Sequence, residues 1–397
     1  MASTQPVLAL EGITVVSLEH AIAAPLATRH LADQGARVIK VERPGSGDFA
    51  RAYDARVDGL ASHFVWVNRS KESLTLDLKQ PEAQEILLQL LSEADVLVQN
   101  LAPGAAARLG LSYEALAAKN PKLIVCDISG YGEGGPYTEK KAYDLLIQSE
   151  AGFLSITGTP EEQVKAGISI ADIAAGMYAY TNILAALIER GKTGRGRRIE
   201  IAMIDAMVEW MGFPMYYAYE GQEPPRRTGA SHATIYPYGP FRAGDGRTVM
   251  LGLQNEREWA VFCDQLLGDA ALATDARFAS NALRTANREV LSKLIENNFA
   301  SLSADEVITR LDAADIANAN VSTMNDIWNH PQLAARQRWT TVNTPAGPIP
   351  ALQPPGMGGE HPARMGPVPA LGEHTAAILR ELGYADRADE LRDRKVV

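Results

Sequence analysis

The stretch Thr14–Glu42, TVVSLEHAIAAPLATRHLADQGARVIKVE, decides the fold. Thr14 to Leu18 is a run rich in β-branched residues, Pro25 to Asp33 has helical apolar spacing and closes at Gly35, and Arg37 to Val41 is a second β-branched run. Strands joined through a helix need a right-handed crossover between parallel neighbours. The alternation continues outward: Ser73 to Leu78 reads as a strand, Pro81 to Ala94 as a helix with proline at its start, Val96 to Val98 as a strand, Tyr113 to Lys119 as a helix and Leu123 to Ile128 as a strand. The expected fold class is α/β, a Rossmann-like doubly wound large domain, with ligands at the carboxyl ends of its strands.

The rest of the chain sets the domain plan. A helix is expected over Ala174 to Glu189, ending at Gly191, followed by a strand from Arg197 to Ile201 and a helix from Asp205 to Trp210. Gln222-Glu223-Pro224-Pro225-Arg226-Arg227 is the clearest linker signal. Hairpin cues around Gly244-Asp245-Gly246 and helices near Glu258 to Leu266 and Arg288 to Ala300 suggest a smaller α+β domain. The plan is therefore a large domain over 1–200 with 330–397 returning to it, a linker over 201–224, and a small domain over 225–325. The last part, 326–397, is expected as a Pro/Gly-rich return arm from Asn343 to Leu371 and a helix from Glu373 to Leu391.

Composition removes several function classes. At 397 residues with 22% charged side chains the chain is long enough for more than one core, and it is neither disordered nor fibrous. A net charge of −10 is a poor footprint for nucleic acid or an anionic membrane, so neither is expected as a partner. Only Cys126 and Cys263 are present, which suits a reducing compartment, and the start lacks a secretory pattern; a cytoplasmic location is expected. Ile173 to Ile188 is apolar but short for a membrane span and reads as a buried helix.

Local motifs narrow the chemistry. Gly130-Tyr131-Gly132-Glu133-Gly134-Gly135 fits a dinucleotide pattern but runs into Pro136 instead of opening a helix. Gly191-Lys192-Thr193 lacks the first glycine of a phosphate loop. The seven histidines form no close pair, no metal is expected, and no GxSxG elbow is present. Asp172, in Ile168-Ser169-Ile170-Ala171-Asp172-Ile173-Ala174, stands just before an apolar helix. It is either an N-cap or a carboxylate nucleophile held ionised by the helix N-terminus.

Several spaced motifs in order resemble the class III CoA-transferase family, which includes formyl-CoA transferase and the methylacyl-CoA racemases. They are Leu10-Glu11-Gly12-Ile13-Thr14-Val15-Val16, Ala36-Arg37-Val38-Ile39-Lys40-Val41-Glu42, Gly45-Ser46-Gly47-Asp48, Leu76-Asp77-Leu78-Lys79, Asn100-Leu101-Ala102-Pro103-Gly104, Gly130 to Pro136 and Gly191 to Arg197. The resemblance implies an interlocked homodimer in which the arm near 325–370 returns to the large domain. It places the nucleophile at Asp172 and CoA contacts at Ala21, Ile22, Ala23, Arg43, Leu76, Lys79, Asn100, Leu101, Arg108 and Lys141. The four basic residues among these suit the phosphates of CoA.

Two departures point within the family. Tyr143, before Asp144, stands where the racemases carry a histidine, and a neutral phenol is a poor base. Leu251-Gly252-Leu253-Gln254-Asn255-Glu256 replaces a glycine-only flap, which points away from formyl-CoA and oxalate. The segments 252–259 and 233–239 resemble the branch acting on itaconate, mesaconate or citramalate with succinyl-CoA as donor. Substrate contacts are accordingly expected at Tyr143, Asp144, Arg226, Arg227, His232, Tyr236 and Gln254. The implied reaction moves CoA between carboxylic acids through an aspartyl anhydride and an aspartyl-CoA thioester, with oxyanion donors from backbone N–H groups near Asp172 and from the Gln254 loop. CoA is then a substrate, and no permanent cofactor is needed. An acyl-CoA racemase and a non-catalytic CoA-binding subunit are the alternatives.

Overall fold

The structure, a computed structural model, describes residues 7–397, which divide into two units. The reading of the extreme N-terminus as leaderless falls mostly outside the described residues. One unit runs to Gly152 and adds Ala166–Gly212 and Gln332–Val397; the other comprises Phe153–Lys165 and Phe213–Pro331.

In the first unit, β1 (Thr14–Leu18), α1 (Ala23–Asp33), β2 (Arg37–Glu42), α2 (Ser62–Val67), β3 (Lys71–Thr75), α3 (Pro81–Glu93), β4 (Val96–Gln99), α4 (Ala105–Arg108), α5 (Tyr113–Ala117), β5 (Ile124–Ser129) and α6 (Asp144–Glu150) follow in order. After α7 (Phe153–Ile156), which belongs to the other unit, come α8 (Ile170–Thr193), β6 (Arg198–Ala202) and α9 (Met203–Trp210). The strands make one parallel sheet in the order β3-β2-β1-β4-β5-β6. Val16 of β1 pairs with Ile39 on one side and Leu97 on the other. The order reverses between β1 and β4, which is where such sheets open a crevice for ligands. Val16, Ile39 and Leu97 share a core with Ile86, Leu87 and Leu90 of α3.

Several boundaries differ from expectation. β3 covers Lys71–Thr75, not Ser73 to Leu78, because the Lys71 ammonium is buried and paired where the sequence shows only a charge. α8 has 24 residues, starting four before Ala174, so it is long and apolar enough to cross a membrane. It packs instead against α1, α9, β5 and β6. Residues 201–224 are not a plain linker: they finish β6 and form α9 and α10 (Gly212–Tyr217).

The second unit has its own core and a small antiparallel sheet. β7 (Tyr238–Arg242) and β8 (Thr248–Gly252) pair as a hairpin, and β9 (Asn318–Asn320) adds to β8. Between them lie α11 (Glu256–Val261), α12 (Asn281–Ala286), α13 (Arg288–Phe299) and α14 (Ala304–Ala313). Phe241, Val249, Leu251, Trp259, Phe262 and Leu291 form the centre of that core. α15 (Met324–Trp328) and α16 (Pro331–Ala335) lead toward the C-terminal part.

The expected irregular arm contains a hairpin, β10 (Trp339–Thr344) with β11 (Gly347–Leu352). Pro348 and Pro350 concealed it, since proline is tolerated on an edge strand but reads as a breaker. The expected terminal helix is two, α17 (Thr375–Glu381) and α18 (Ala388–Asp393), interrupted near Gly383 at φ +86°.

Candidate active site

The loop after β1 is held by a buried set of charges. The Lys40 ammonium lies 2.8 Å from Asp48 and 3.4 Å from Glu19, and that of Lys71 lies 2.7 Å from Glu19. Burial alone would push the Glu19 carboxyl up, but Lys71 and Lys40 outweigh it and hold the group below the usual carboxylate range. Asp48 spends its other oxygen on the amides of Ala50 (2.9 Å) and Ala21 (3.2 Å). It thereby fixes Ala21 in the left-handed conformation, φ +60°, together with the short segment Phe49–Ala52. Asn100 completes the loop from β4, accepting from the His20 amide and donating to the His20 carbonyl at 2.9 Å each.

This loop adjoins the first turn of α8. Ala21 and Ile173 pack on the same small cluster of Ile22, Leu26 and Val67. Gly176, one turn along α8, permits the approach: a Cβ there would come within 2.6 Å of the Ala23 carbonyl oxygen.

Asp172 is the third residue of α8, not its N-cap; Ser169 holds the cap position and makes no side-chain cap bond. The cap comes from α6. One oxygen of Asp144 accepts from the amides of Ala171 (2.8 Å) and Asp172 (3.2 Å), and its other oxygen accepts from Gln148 at 2.6 Å. Two sequence expectations are thus corrected. The helix N-terminus does not hold Asp172 ionised, and these two amides are taken by Asp144 and are not free to stabilise an oxyanion. Burial first, then the Asp144 charge, push the Asp172 carboxyl up to about 7. A carboxylate with such a pKa is more basic and more nucleophilic than an ordinary one when ionised.

The residues expected to meet CoA follow strand ends: 21–23 after β1, Arg43 after β2, Leu76 and Lys79 after β3, Asn100, Leu101 and Arg108 after β4, and Lys141 after β5. The sheet brings them to one edge. Arg43, Lys79, Arg108 and Lys141 are exposed. Leu76 is 2% exposed and belongs to the core, so its side chain is not free to meet CoA. The Asn100 side chain is occupied by His20 and shapes the loop instead of reaching out. Leu101 is positioned by a chain in which its amide donates to Gln99, Gln99 donates to Asp127, and Arg198 donates to Asp127.

The second-unit candidates separate clearly. Arg227 donates to the carbonyls of Thr159 (2.8 Å), Pro160 (2.9 Å) and Ser155 (3.3 Å), so it pins its own backbone and is not a substrate ligand. Tyr236 is 4% exposed within the core, which also removes it. The Gln254 amide donates to Glu258 at 2.7 Å and is no oxyanion donor. His232 accepts the amides of Thr234 (3.2 Å) and Ile235 (3.1 Å) at Nδ1, which places its proton on Nε2, and it stacks on Tyr238. Arg226 and the Gln254 side chain are exposed.

Sequence reasoning missed Glu19, Lys40, Asp48 and Lys71 as site builders, and Tyr53 as a neighbour of Asp172. The available signal was Lys40 inside the apolar run of β2, a position that demands a buried acid; Lys71 opens the polar strand KESLT and carried no such signal. Tyr53 lies close enough to Asp48, Asp172 and Tyr143 that, after burial, their charges raise its phenol above the ordinary value. Tyr143 itself is 67% exposed.

The first unit thus presents a doubly wound sheet with exposed cations after its strands and an aspartate of raised pKa at the start of α8. The chain belongs to CoA-transferase family III, whose model matches residues 10–375, and it is a transferase enzyme. It is 35% identical to a succinate–glutarate CoA-transferase of Agrobacterium fabrum, over 95% of this chain and 96% of that one. It is 33% identical to a succinyl-CoA:mesaconate CoA-transferase of Haloarcula hispanica, over 94% and 96%. The crystal structure of a CAIB/BAIF family protein from Brucella suis superposes with a TM-score of 0.84 at 35% identity, covering 95% of this chain and all of that one.

Proposed function

We propose that this protein transfers CoA from succinyl-CoA to a free C4–C5 dicarboxylate, of the class of glutarate, mesaconate, itaconate or citramalate. The observation that carries the reading is Asp172, with a carboxyl raised to about 7 at the carboxyl edge of the sheet. The names of the glutarate and mesaconate relatives support the substrate class.

Ionised Asp172 attacks the thioester carbonyl, forming a mixed anhydride and releasing CoA thiolate. The thiolate attacks the Asp172 carbonyl of the anhydride, leaving aspartyl-CoA and free succinate. The acceptor carboxylate then attacks aspartyl-CoA to give a new anhydride, and the thiolate takes the acceptor acyl group, regenerating Asp172. No bond energy is released to water, provided water is kept from the anhydride. Arg43, Lys79, Arg108 and Lys141 hold the carrier phosphates in this reading, with the backbone of 21–23 beside the acyl end. Hydroxylamine added during turnover should modify Asp172, detected as a hydroxamate by peptide mass spectrometry; an unmodified Asp172 under conditions that stop turnover refutes the covalent route.

The protein is further read as a homodimer. Phe213, Met215, Tyr216, Tyr217 and Tyr219 are all strongly exposed on one short segment, and such clustered apolar side chains mark interaction surfaces. Sedimentation at decreasing concentration should show no folded monomer, and an active monomer would remove this part of the reading.

A further inference from the structure

The loop that carries Lys79 is set apart by the source of its support. It follows β3, an edge strand of the sheet, which has a neighbouring strand on one side alone. The open edge is covered by residues 301 positions further on: the Ser73 amide donates to Nδ1 of His374 at 3.2 Å, and the Ser73 carbonyl accepts from the His374 amide at 3.0 Å. The Thr75 amide donates to Oγ1 of Thr375, at the start of α17, at 3.0 Å. Leu76 then packs in one core with Ile378 and Leu379 of α17, Leu391 of α18 and Val396 beyond it.

The loop itself is fastened on both sides of Lys79. Before it, the Asp77 amide donates to the Val396 carbonyl at 2.8 Å; after it, the Gln80 side-chain amide donates to the Lys395 carbonyl at 2.9 Å. Inside this bracket Asp77 accepts from the Lys79 amide and from the Gln80 side chain at 3.2 Å each, and the Leu78 carbonyl accepts from Gln84 at 2.8 Å. The chain turns at Lys395 to present the two carbonyls, with φ at +56°, a left-handed conformation that is uncommon for a residue with a side chain. Such a conformation persists where the surrounding bonds hold it. The Lys79 side chain is exposed and makes no ion pair among the described residues.

We propose that the turn at residues 394–396, which grips the loop through Asp77 and Gln80, is a positioning element for Lys79 and sets its ammonium where a phosphate of CoA binds. The inference rests on the function proposed above and adds the part of the chain that fixes one of its phosphate-binding cations. A lysine is a point charge on a flexible stem, so its worth to a phosphate depends on where its backbone is held. An edge strand gives the following loop no second neighbour, and here a turn distant in sequence takes that place.

The test measures kcat/KM for succinyl-CoA and for succinyl-pantetheine, which lacks the nucleotide phosphates, with glutarate held saturating. In a double-displacement scheme these values report the first half-reaction alone. Lys79→Ala should lower the value for succinyl-CoA by about 10-fold or more, the worth of a charge-assisted hydrogen bond, and leave succinyl-pantetheine within about twofold. Gln80→Leu should lower succinyl-CoA by about 3- to 10-fold with the same selectivity, and should add nothing in a Lys79→Ala background. Two substitutions at Lys395 remove the same side chain with opposite effects on the turn. Lys395→Val, β-branched and resistant to the left-handed conformation, should reproduce the Gln80→Leu loss, whereas Lys395→Gly, which adopts it freely, should keep the wild-type selectivity. Calorimetric Kd values for free CoA should follow the same order. Equal losses for both donors, full additivity of Gln80→Leu with Lys79→Ala, or a Lys395→Val variant indistinguishable from Lys395→Gly overturns the positioning role. If Lys79→Ala costs neither succinyl-CoA turnover nor CoA affinity, Lys79 binds no phosphate, and that part of the proposed function fails together with the inference. A Lys79→Ala loss that neither Gln80→Leu nor Lys395→Val shares overturns the inference alone. If wild type transfers no CoA to glutarate, the proposed acceptor fails and the Kd series still decides the inference.

Discussion

Two groups of acids in the first unit, one buried and one half-buried, behave oppositely. Behind the loop after β1, every acid has a cation: Glu19 with Lys71 and Lys40, Asp48 with Lys40, and Glu42 with Arg51 at 2.8 Å. At the start of α8, Asp172 faces another carboxylate, Asp144, and no cation pairs with either among the described residues. Against burial, Arg51 and Lys40 hold Glu42 down at about 2, whereas burial and Asp144 lift Asp172 to about 7. The linked stabilities have opposite signs. Glu42 contributes stability that is lost as pH falls through its lowered pKa; Asp172 keeps a proton that the unfolded chain releases, so its contribution falls as pH rises from about 4 to about 7. The first group is a scaffold and the second is the reactive site of the proposed function, and satisfaction of charge is what separates them.

The strongest way to break this comparison is to remove the reactive acid. Asp172→Asn should lower kcat by at least about a thousandfold, because the neighbouring carboxylate, Asp144, is spent on Gln148 and on the amides of Ala171 and Asp172. The same variant should be as stable as wild type below about pH 4, pull ahead as pH rises, and be more stable above pH 7 by about 2–4 kcal/mol in urea unfolding. A variant that is both inactive and less stable at pH 8 would mean that the aspartate is structural.

Removing a cation from the scaffold should do the reverse. Lys40→Met leaves Asp48 and Glu19 without a shared partner, and a broken buried pair costs about 3–5 kcal/mol. Urea unfolding at pH 7 measures it; a loss under about 1 kcal/mol would show that the hub does not carry the loop.

Gly176→Ala tests the seam between the two regions. With a Cβ that close to the Ala23 carbonyl, α8 must shift away from α1, at about 1–3 kcal/mol of stability. Activity should fall further than stability implies, since Asp172 and the 21–23 backbone move apart. Unchanged kcat in a destabilised variant would separate the seam from the chemistry.

The finest probe is Asp144→Asn. The asparagine carbonyl can still cap α8, but the charge beside Asp172 is gone, so the acid limb of the kcat/KM profile should move from near 7 down by about one unit. A limb that stays in place would leave burial as the only cause of the raised pKa.

Much of the architecture was legible because it follows from local patterns. Thr14–Leu18 and the helices of 23–33 and 81–93 lie where apolar spacing and punctuation put them. The order of spaced motifs indicated the family, and the match over residues 10–375 bears that out. Asp172 stood out as an acid in apolar company, yet its cap was misassigned, because the oxygen that caps α8 comes from Asp144, 27 and 28 residues away from the amides it accepts. No window of sequence contains that bond.

What the sequence by itself determined is the alternation of strand and helix, and hence the parallel sheet, since periodicity and crossover handedness act on near neighbours. Tertiary structure alone decided which charges are paired. Lys71 reaches Glu19 across 52 positions, Asp48 holds Ala21 across 27, and Phe153–Lys165 joins the second unit although it leaves the chain of the first. A pKa depends on burial and on the sign of the nearest charge, both set by the packed chain, so the same residue type is a paired strut at position 48 and a carboxyl of raised pKa at position 172.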